Sequence, residues 1–158
     1  MPQTTEQRVL ELISSGAAEK QHHQAGELFL LFDQLSPIHP NDLAARGGNW
    51  VGGGFETGHP AGPWLQEIKW VGKKFYSTDD VQPILAETPD GGKEWLEEWG
   101  RAKVIEAKYR GVYTATMVYD DYPIFDYFRR LNDDFVMGVM ETKKWKDEGV
   151  SFFWLQRA

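Results

Sequence analysis

The chain has 158 residues, and its 17 basic against 24 acidic side chains give a net charge of −7 at neutral pH. An acidic chain without a basic run repels a phosphate backbone, so we expect no nucleic-acid partner. Cysteine is absent, which excludes disulfides and thiolate metal sites. The length suits one domain, 1–158, and the polar start with no run of roughly 20 apolar residues favours a soluble, cytoplasmic protein without a membrane span.

The first 46 residues are predicted to be helical. Apolar side chains recur at helical spacing from Thr4 to Gly16, with Thr4 or Thr5 as N-cap. A second apolar face runs from Gln24 to Leu35, where Ser36-Pro37 ends the helix. A connector, His39 to Arg46, leads out of this helical hairpin.

The next segment mixes weaker strand signals with one short helix. Strands are predicted over Gly48–Glu56, Lys73–Ser77 and Gln82–Glu87, and a lid helix over Pro63–Gly72. The charged, glycine-containing stretch Thr88–Gly100 is predicted to be an inserted loop with one or two helical turns.

The last third of the chain predicts a meander of strands separated by short polar turns. Its five strands are Arg101–Arg110, Val112–Tyr119, Ile124–Leu131, Phe135–Glu141 and Val150–Arg157. With the three upstream strands the total is eight, the number that closes into a small antiparallel β-barrel. We therefore predict a mainly β fold: a closed barrel over 47–158 with the N-terminal helices (1–46) packed against it.

The glycine-rich run Gly47 to Phe55 is the strongest local signal, because so many glycines in a strand mark sharp bending or close backbone approach. Trp50 within it is predicted to plug one end of the barrel. An arginine from a late strand is expected to cover its indole, and the candidates are Arg129, Arg130 and Arg157.

Two motifs in the chain carry a family resemblance. The run Gly48-Asn49-Trp50-Val51-Gly52, followed by Thr57-Gly58-His59-Pro60, resembles the GXWXG family. The segment Tyr119 to Arg130, together with Gly138-Val139-Met140, resembles the domain of unknown function that accompanies it. The resemblance implies a calycin-like barrel, similar to lipocalins, fatty-acid-binding proteins and nitrobindins, whose members mostly hold hydrophobic ligands, and it implies no settled activity.

Polar residues at the barrel mouth or interior are the candidate catalytic groups. His59 lies in a turn where it can move a proton near neutral pH or simply bond the local backbone. The period-two pattern places one charged side chain of the 124–131 strand inward, so Asp126, or Asp121, paired with a nearby arginine is a candidate acid–base or anchoring pair. Tyr119 shares its predicted interior face with Tyr113, Ala115 and Met117. The candidate catalytic residues are His59, Asp126 and Tyr119.

Aromatic and flexible side chains are the candidate ligand contacts. These are Trp50, Phe55, Tyr113, Met117, Phe128, Met137 and Phe153. No metal site is predicted, because His22-His23 lacks a third ligand at recognisable spacing, and no cofactor is expected.

Three functions follow from these patterns. The first is binding of an apolar or amphipathic small molecule of lipid, terpenoid or polyketide type inside the barrel. The second is a cofactor-independent enzyme, such as a biosynthetic cyclase, a pericyclase that catalyses a cycloaddition, or an isomerase, acting on such a substrate. The third is a structural or interaction protein whose barrel is filled by its own side chains.

Overall fold

A computed structural model describes all 158 residues, which form five α-helices and one sheet. The helices are α1 (Thr5–Ser14), α2 (Ala17–Lys20), α3 (Ala25–Asp33), α4 (Pro40–Ala44) and α5 (Ala61–Glu67). The first begins in a capping box, in which Thr4 Oγ1 accepts from the Gln7 N–H at 3.1 Å and Gln7 Oε1 accepts from the Thr4 N–H at 3.0 Å. None of the helices has the length and hydropathy needed to cross a membrane.

The sheet contains ten strands, of which eight form a closed ring. The strands are β1 (Ser36–Pro37), β2 (Asn49–Gly54), β3 (Trp70–Ser77), β4 (Asp80–Glu87), β5 (Lys93–Trp95), β6 (Ala102–Tyr109), β7 (Val112–Tyr119), β8 (Ile124–Arg130), β9 (Phe135–Thr142) and β10 (Ser151–Arg157). The order around the ring is β8-β7-β6-β4-β3-β2-β10-β9, and β9 pairs back with β8. All pairings are antiparallel, which confirms the predicted barrel-like fold with helices at the N-terminus.

The alternation of side chains along the ring creates two apolar cores. The inner core fills much of the barrel and includes Trp50, Phe75, Met117, Phe128 and Leu155. The outer core lies between the helices and the outward face of the β8–β10 strands, where Val9, Leu28 and Phe32 share a cluster with Met137, Val139 and Phe152. Helices α1 to α3 are therefore held by the barrel's outer surface, whereas α4 contributes Leu43 to the inner core.

Trp50 closes one end of the ring. Its Nε1–H donates to the Leu43 carbonyl of α4 at 2.8 Å, and the Arg157 guanidinium lies 4.3 Å from the indole centroid. An arginine from a late strand thus covers the tryptophan as predicted, and the arginine is Arg157.

Three local predictions differ from the structure. The predicted helix over 63–72 is the helix Ala61–Glu67 followed by strand β3, because Lys69 adopts a left-handed φ of 60° that reverses the chain. The stretch 88–100 adds strand β5 before a single 3₁₀ turn at Glu97–Trp99. The connector 39–46 contains α4, which begins at Pro40, with the ring of His39 accepting from the Asn41 N–H.

Candidate functional site

A cavity opens at the end of the barrel opposite Trp50. Strand β10 shows this arrangement, since its first residue, Ser151, lines the cavity while its last, Arg157, covers Trp50. The cavity volume is about 50 Å³, and with the solvent-open mouth the empty space is about 590 Å³. An engineered apolar cavity of about 150 Å³ holds benzene, so a bound ring here must lie partly in the mouth.

Three segments that are not strands form the rim of this cavity. Helix α5 contributes Trp64, the 3₁₀ turn after β5 contributes Trp99, and the 3₁₀ segment Lys143–Glu148 contributes Trp145. Trp64 packs edge-to-face on the other two, with ring centroids 4.7 Å from Trp99 and 6.1 Å from Trp145. Such contacts fix the orientation of large apolar rings, so the mouth presents preformed flat surfaces.

Glycines make room for the aromatic wall below the rim. A Cβ at Gly52 would overlap the Trp70 indole, and one at Gly138 would overlap the Phe153 ring. Trp70 and Phe153 meet edge-to-face at 6.2 Å and both line the cavity. The second glycine of the Gly48-to-Gly52 motif therefore shapes the site directly, through the space it leaves for Trp70.

The polar part of the wall is a buried ion pair. Lys73 Nζ lies 3.2 Å from Asp126 Oδ2, and the two side chains are 3% and 2% exposed. Lys73 also donates to the Pro83 carbonyl at 3.1 Å. Its ammonium lies 5.5 Å from the ring centroids of Trp70 and Phe153 and 5.8 Å from that of Tyr119, within the range of cation–π attraction.

Burial dominates the protonation chemistry of this pair. It raises the pKa of Asp126, and the attraction of Lys73 opposes the shift. It lowers the pKa of Lys73, and here Asp126 opposes the shift. Both groups are thus displaced toward their neutral forms, which brings their proton affinities closer together than in water. An apolar site with such a pair can exchange a proton with a bound molecule.

Tyr119 adds a phenol to the same wall. Burial, and next the negative charge of Asp126, raise the pKa of Tyr119 well above 10, so the hydroxyl stays protonated. The side chain lines the cavity. It offers a neutral hydroxyl that is able to donate to a ligand oxygen.

His59 holds the rim together and is not among the residues that line the cavity. Its Nδ1 accepts from the Ala61 N–H at 3.0 Å, and its Nε2 lies 3.3 Å from the Gly149 carbonyl, so the neutral ring with the proton on Nε2 fits both partners. The ring meets Trp145 edge-to-face at 5.5 Å. Burial lowers the pKa of His59, with the Gly149 carbonyl and Glu148 opposing. The structure thus gives His59 a positioning role between α5 and the Trp145 segment.

The structure brings three of the sequence-predicted site residues together at the cavity, namely Asp126, Tyr119 and Phe153. Three others, Trp50, Met117 and Phe128, belong to the inner core, and Phe55 and Met137 belong to the outer core. Tyr113 is 61% exposed, because it lies at the end of β7 that extends beyond the barrel interior.

The partner of Asp126 is Lys73, and the arginine expected beside Asp126 is absent. Arg129 instead faces the helices and donates to the carbonyls of 32 and 35.

Lys73 and the indoles of Trp70, Trp99 and Trp145 are cavity residues that the sequence interpretation missed. For Lys73 a signal exists in the chain. Lys73 and Phe75 are two residues apart in a strand and share a face, so an inward phenylalanine carries the lysine inward as well. The three tryptophans have no comparable signal, since two lie in 3₁₀ segments and the third lies at a strand start that the helical spacing obscured.

Comparison with known proteins identifies the family. A family model described as "GXWXG protein" matches residues 30–91, and one described as a domain of unknown function (DUF4334) matches residues 100–157. A crystal structure of a protein from Thermomonospora curvata is 35% identical, with a TM-score of 0.87 and coverage of 98% of each chain. No curated protein matches this chain. The chain therefore belongs to the GXWXG family and carries the domain DUF4334 after the GXWXG segment.

Proposed function

We propose that this protein binds an apolar or amphipathic small molecule, of lipid, terpenoid or polyketide type, in the tryptophan-rimmed cavity. The observation that carries the proposal is a buried ion pair in the wall of a mostly apolar, solvent-open cavity. Ten of the fifteen lining residues are hydrophobic, and Lys73 and Asp126 are both almost fully buried among them. Apolar walls with a few convergent polar groups characterise ligand sites.

The energetics of the ion pair support a functional role. Desolvation of two buried charges commonly exceeds their attraction, so well-packed apolar residues would stabilise the fold at least as well. The displaced pKa values of Lys73 and Asp126 point in the same direction, since burial is the first cause of both shifts. A pair that stability does not require, placed where a ligand fits, favours recognition or proton transfer.

A fluorescent probe tests the binding proposal. N-phenyl-1-naphthylamine, which is neutral and brightens in apolar surroundings, is titrated into the protein; we expect saturable binding of one molecule per chain. Ser151→Phe places a ring in the cavity and should weaken binding at least tenfold. Tyr113→Ser removes an exposed aromatic ring outside the cavity and serves as the matched control, with unchanged affinity. Absence of binding, or equal binding by all three proteins, would contradict the proposal and favour a barrel that acts only as a structural or interaction module.

A second candidate function, a cofactor-independent isomerase or cyclase, is favoured by the buried contact between Lys73 and Asp126, in which burial lowers the pKa of the lysine and raises that of the aspartate. In this candidate the aromatic walls hold a reactive conformation and Asp126 exchanges a proton with the substrate. Extracts of a strain that lacks the gene should contain a precursor that the purified protein converts. The Asp126→Asn variant should no longer convert this precursor, although it should still bind N-phenyl-1-naphthylamine. Full turnover by this variant would exclude Asp126 from the mechanism.

A further inference from the structure

We propose that the polar group of the bound molecule is a neutral hydrogen-bond donor, a hydroxyl, recognised by Asp126 at the inner end of the cavity. The inference rests on the proposed binding function and specifies the ligand chemistry of that site. Three features of the cavity carry it: its unpartnered polar atoms, its charge balance and the small size of its inner part.

The first feature is hydrogen bonding that the protein leaves incomplete. Four buried side-chain polar atoms in the chain lack a partner, and two of them, Asp126 Oδ1 and Trp70 Nε1, belong to residues that line this cavity. A buried carboxylate oxygen without a donor is costly, and a ligand donor would remove that cost. A hydroxyl both donates and accepts, so its chemistry suits an acceptor on Asp126 and a donor on Trp70.

The second feature is the charge of the site. The buried charges of Lys73 and Asp126 sum to zero, and the third charged residue of the lining, Lys144, is exposed to solvent, which screens its charge. A ligand carboxylate would place a second negative charge beside Asp126, and a ligand ammonium would compete with Lys73, each in a low-dielectric environment. An uncharged polar group avoids both penalties. A ketone or ether is also uncharged, but neither can donate to Asp126 Oδ1.

The third feature is size. The cavity volume of about 50 Å³ admits a substituent rather than a ring, whereas the mouth is walled by the flat indoles of Trp64, Trp99 and Trp145. The geometry therefore fits a molecule whose ring system lies in the mouth against the indoles and whose single hydroxyl points inward toward Asp126.

Two molecules of matched shape test the inference. 2-Naphthol and 2-methylnaphthalene differ by a hydroxyl in place of a methyl group, and equilibrium dialysis against the wild-type protein gives both affinities. A hydrogen bond to a charged group predicts that 2-naphthol binds about tenfold or more tightly. 2-Naphthoate, which carries a carboxylate at the same position, should bind more weakly than 2-naphthol.

A variant protein provides the control. Lys73→Met combined with Asp126→Leu replaces the pair by apolar side chains of similar volume and should erase or reverse the preference for 2-naphthol while 2-methylnaphthalene still binds. If wild-type protein binds the two naphthalenes equally, the hydroxyl inference is overturned and the binding function stands. If neither binds, the proposed function itself fails. The wild-type comparison decides the inference even if the variant does not fold.

Discussion

Replacement of Lys73 and Asp126, singly and together, measures what the buried pair contributes to stability. The two charged atoms lie 3.2 Å apart and both side chains are at most 3% exposed. Removal of one partner leaves the other charge without compensation inside the barrel, whereas removal of both leaves an apolar wall. The three variants are Lys73→Met, Asp126→Leu and the double substitution.

The expected magnitudes follow from this burial. Each single substitution should lower the free energy of unfolding by about 3–5 kcal/mol, and the double variant should be unchanged or more stable by up to about 4 kcal/mol. For a chain of this length about 2–4 °C of melting temperature corresponds to 1 kcal/mol, so each single variant should melt roughly 6–20 °C lower. The strong non-additivity is the signature of a directly coupled pair.

The Lys73→Met penalty should also depend on pH. The folded-state pKa of Asp126 is raised above its usual 3.8, and loss of Lys73 removes the attraction that opposes this shift. Folding then favours the protonated form of Asp126. This favourable contribution is complete below the pKa of the unfolded chain and is lost as the pH rises through the folded pKa. The penalty should therefore be smallest below about pH 3.8 and grow as the pH rises.

Urea unfolding followed by circular dichroism gives all four stabilities, and unchanged slopes would show that the comparison is valid. Additive effects, with the double variant losing about the sum of the two single losses, would refute the reasoning. That result would mean that the two side chains do not share a desolvated environment.

Three further predictions concern the rim, the glycine motif and the helices. Burial lowers the pKa of His59 below its usual 6.5, so the neutral imidazole stabilises the fold fully above pH 6.5 and this stability is lost as the pH falls through the folded pKa. The urea midpoint of the wild-type protein should therefore drop between pH 7 and pH 5, and that of His59→Asn should drop less. Gly48→Ala should lower the free energy of unfolding, measured by thermal denaturation, by more than about 2 kcal/mol, because φ at Gly48 is +67° and a Cβ would overlap the Phe75 carbonyl. Gly26→Ala is the control: Gly26 lies in α3 with open space around it, so this variant should gain about 0.5–1 kcal/mol. Arg129→Lys should lower the free energy of unfolding by roughly 2–4 kcal/mol, because the buried guanidinium donates to the carbonyls of 32, 33 and 35 around the end of α3. A loss under about 0.5 kcal/mol, the size expected at an exposed control such as Arg8→Lys, would contradict that role.

The sequence predicts the β-meander well and the cavity poorly, for a physical reason. Strand β7 matches its predicted bounds, Val112–Tyr119, because alternating side chains and short polar turns are local signals. The same alternation requires a charged side chain of β8 to face inward without selecting the face, and the structure shows that Asp126 is the one at the cavity. Its partner is Lys73, which lies on β3 on the other side of the barrel from β8. Spacing along a single sequence does not show which inward side chains of two such strands come within contact distance.

The location of the cavity depends on tertiary packing. Phe128 and Met117 were reasonable ligand contacts for a hollow barrel, yet the structure places them in a filled inner core. The open space lies instead at the end covered by Trp64, Trp99 and Trp145. Periodicity indicates which residues face inward, but it does not show which level of the barrel is left unfilled.

Methyl-resolved NMR tests the central claim most directly, because the chain has four methionines in four environments. Met140 lines the cavity, Met117 lies in the inner core, Met137 in the outer core, and Met1 is exposed. On titration of 2-naphthol into protein labelled at the methionine methyl carbons, the Met140 signal should shift and show contacts to the ligand, while the Met1 and Met137 signals stay in place. A shift confined to Met137, or no saturable shift at Met140, would contradict a ligand site in this cavity.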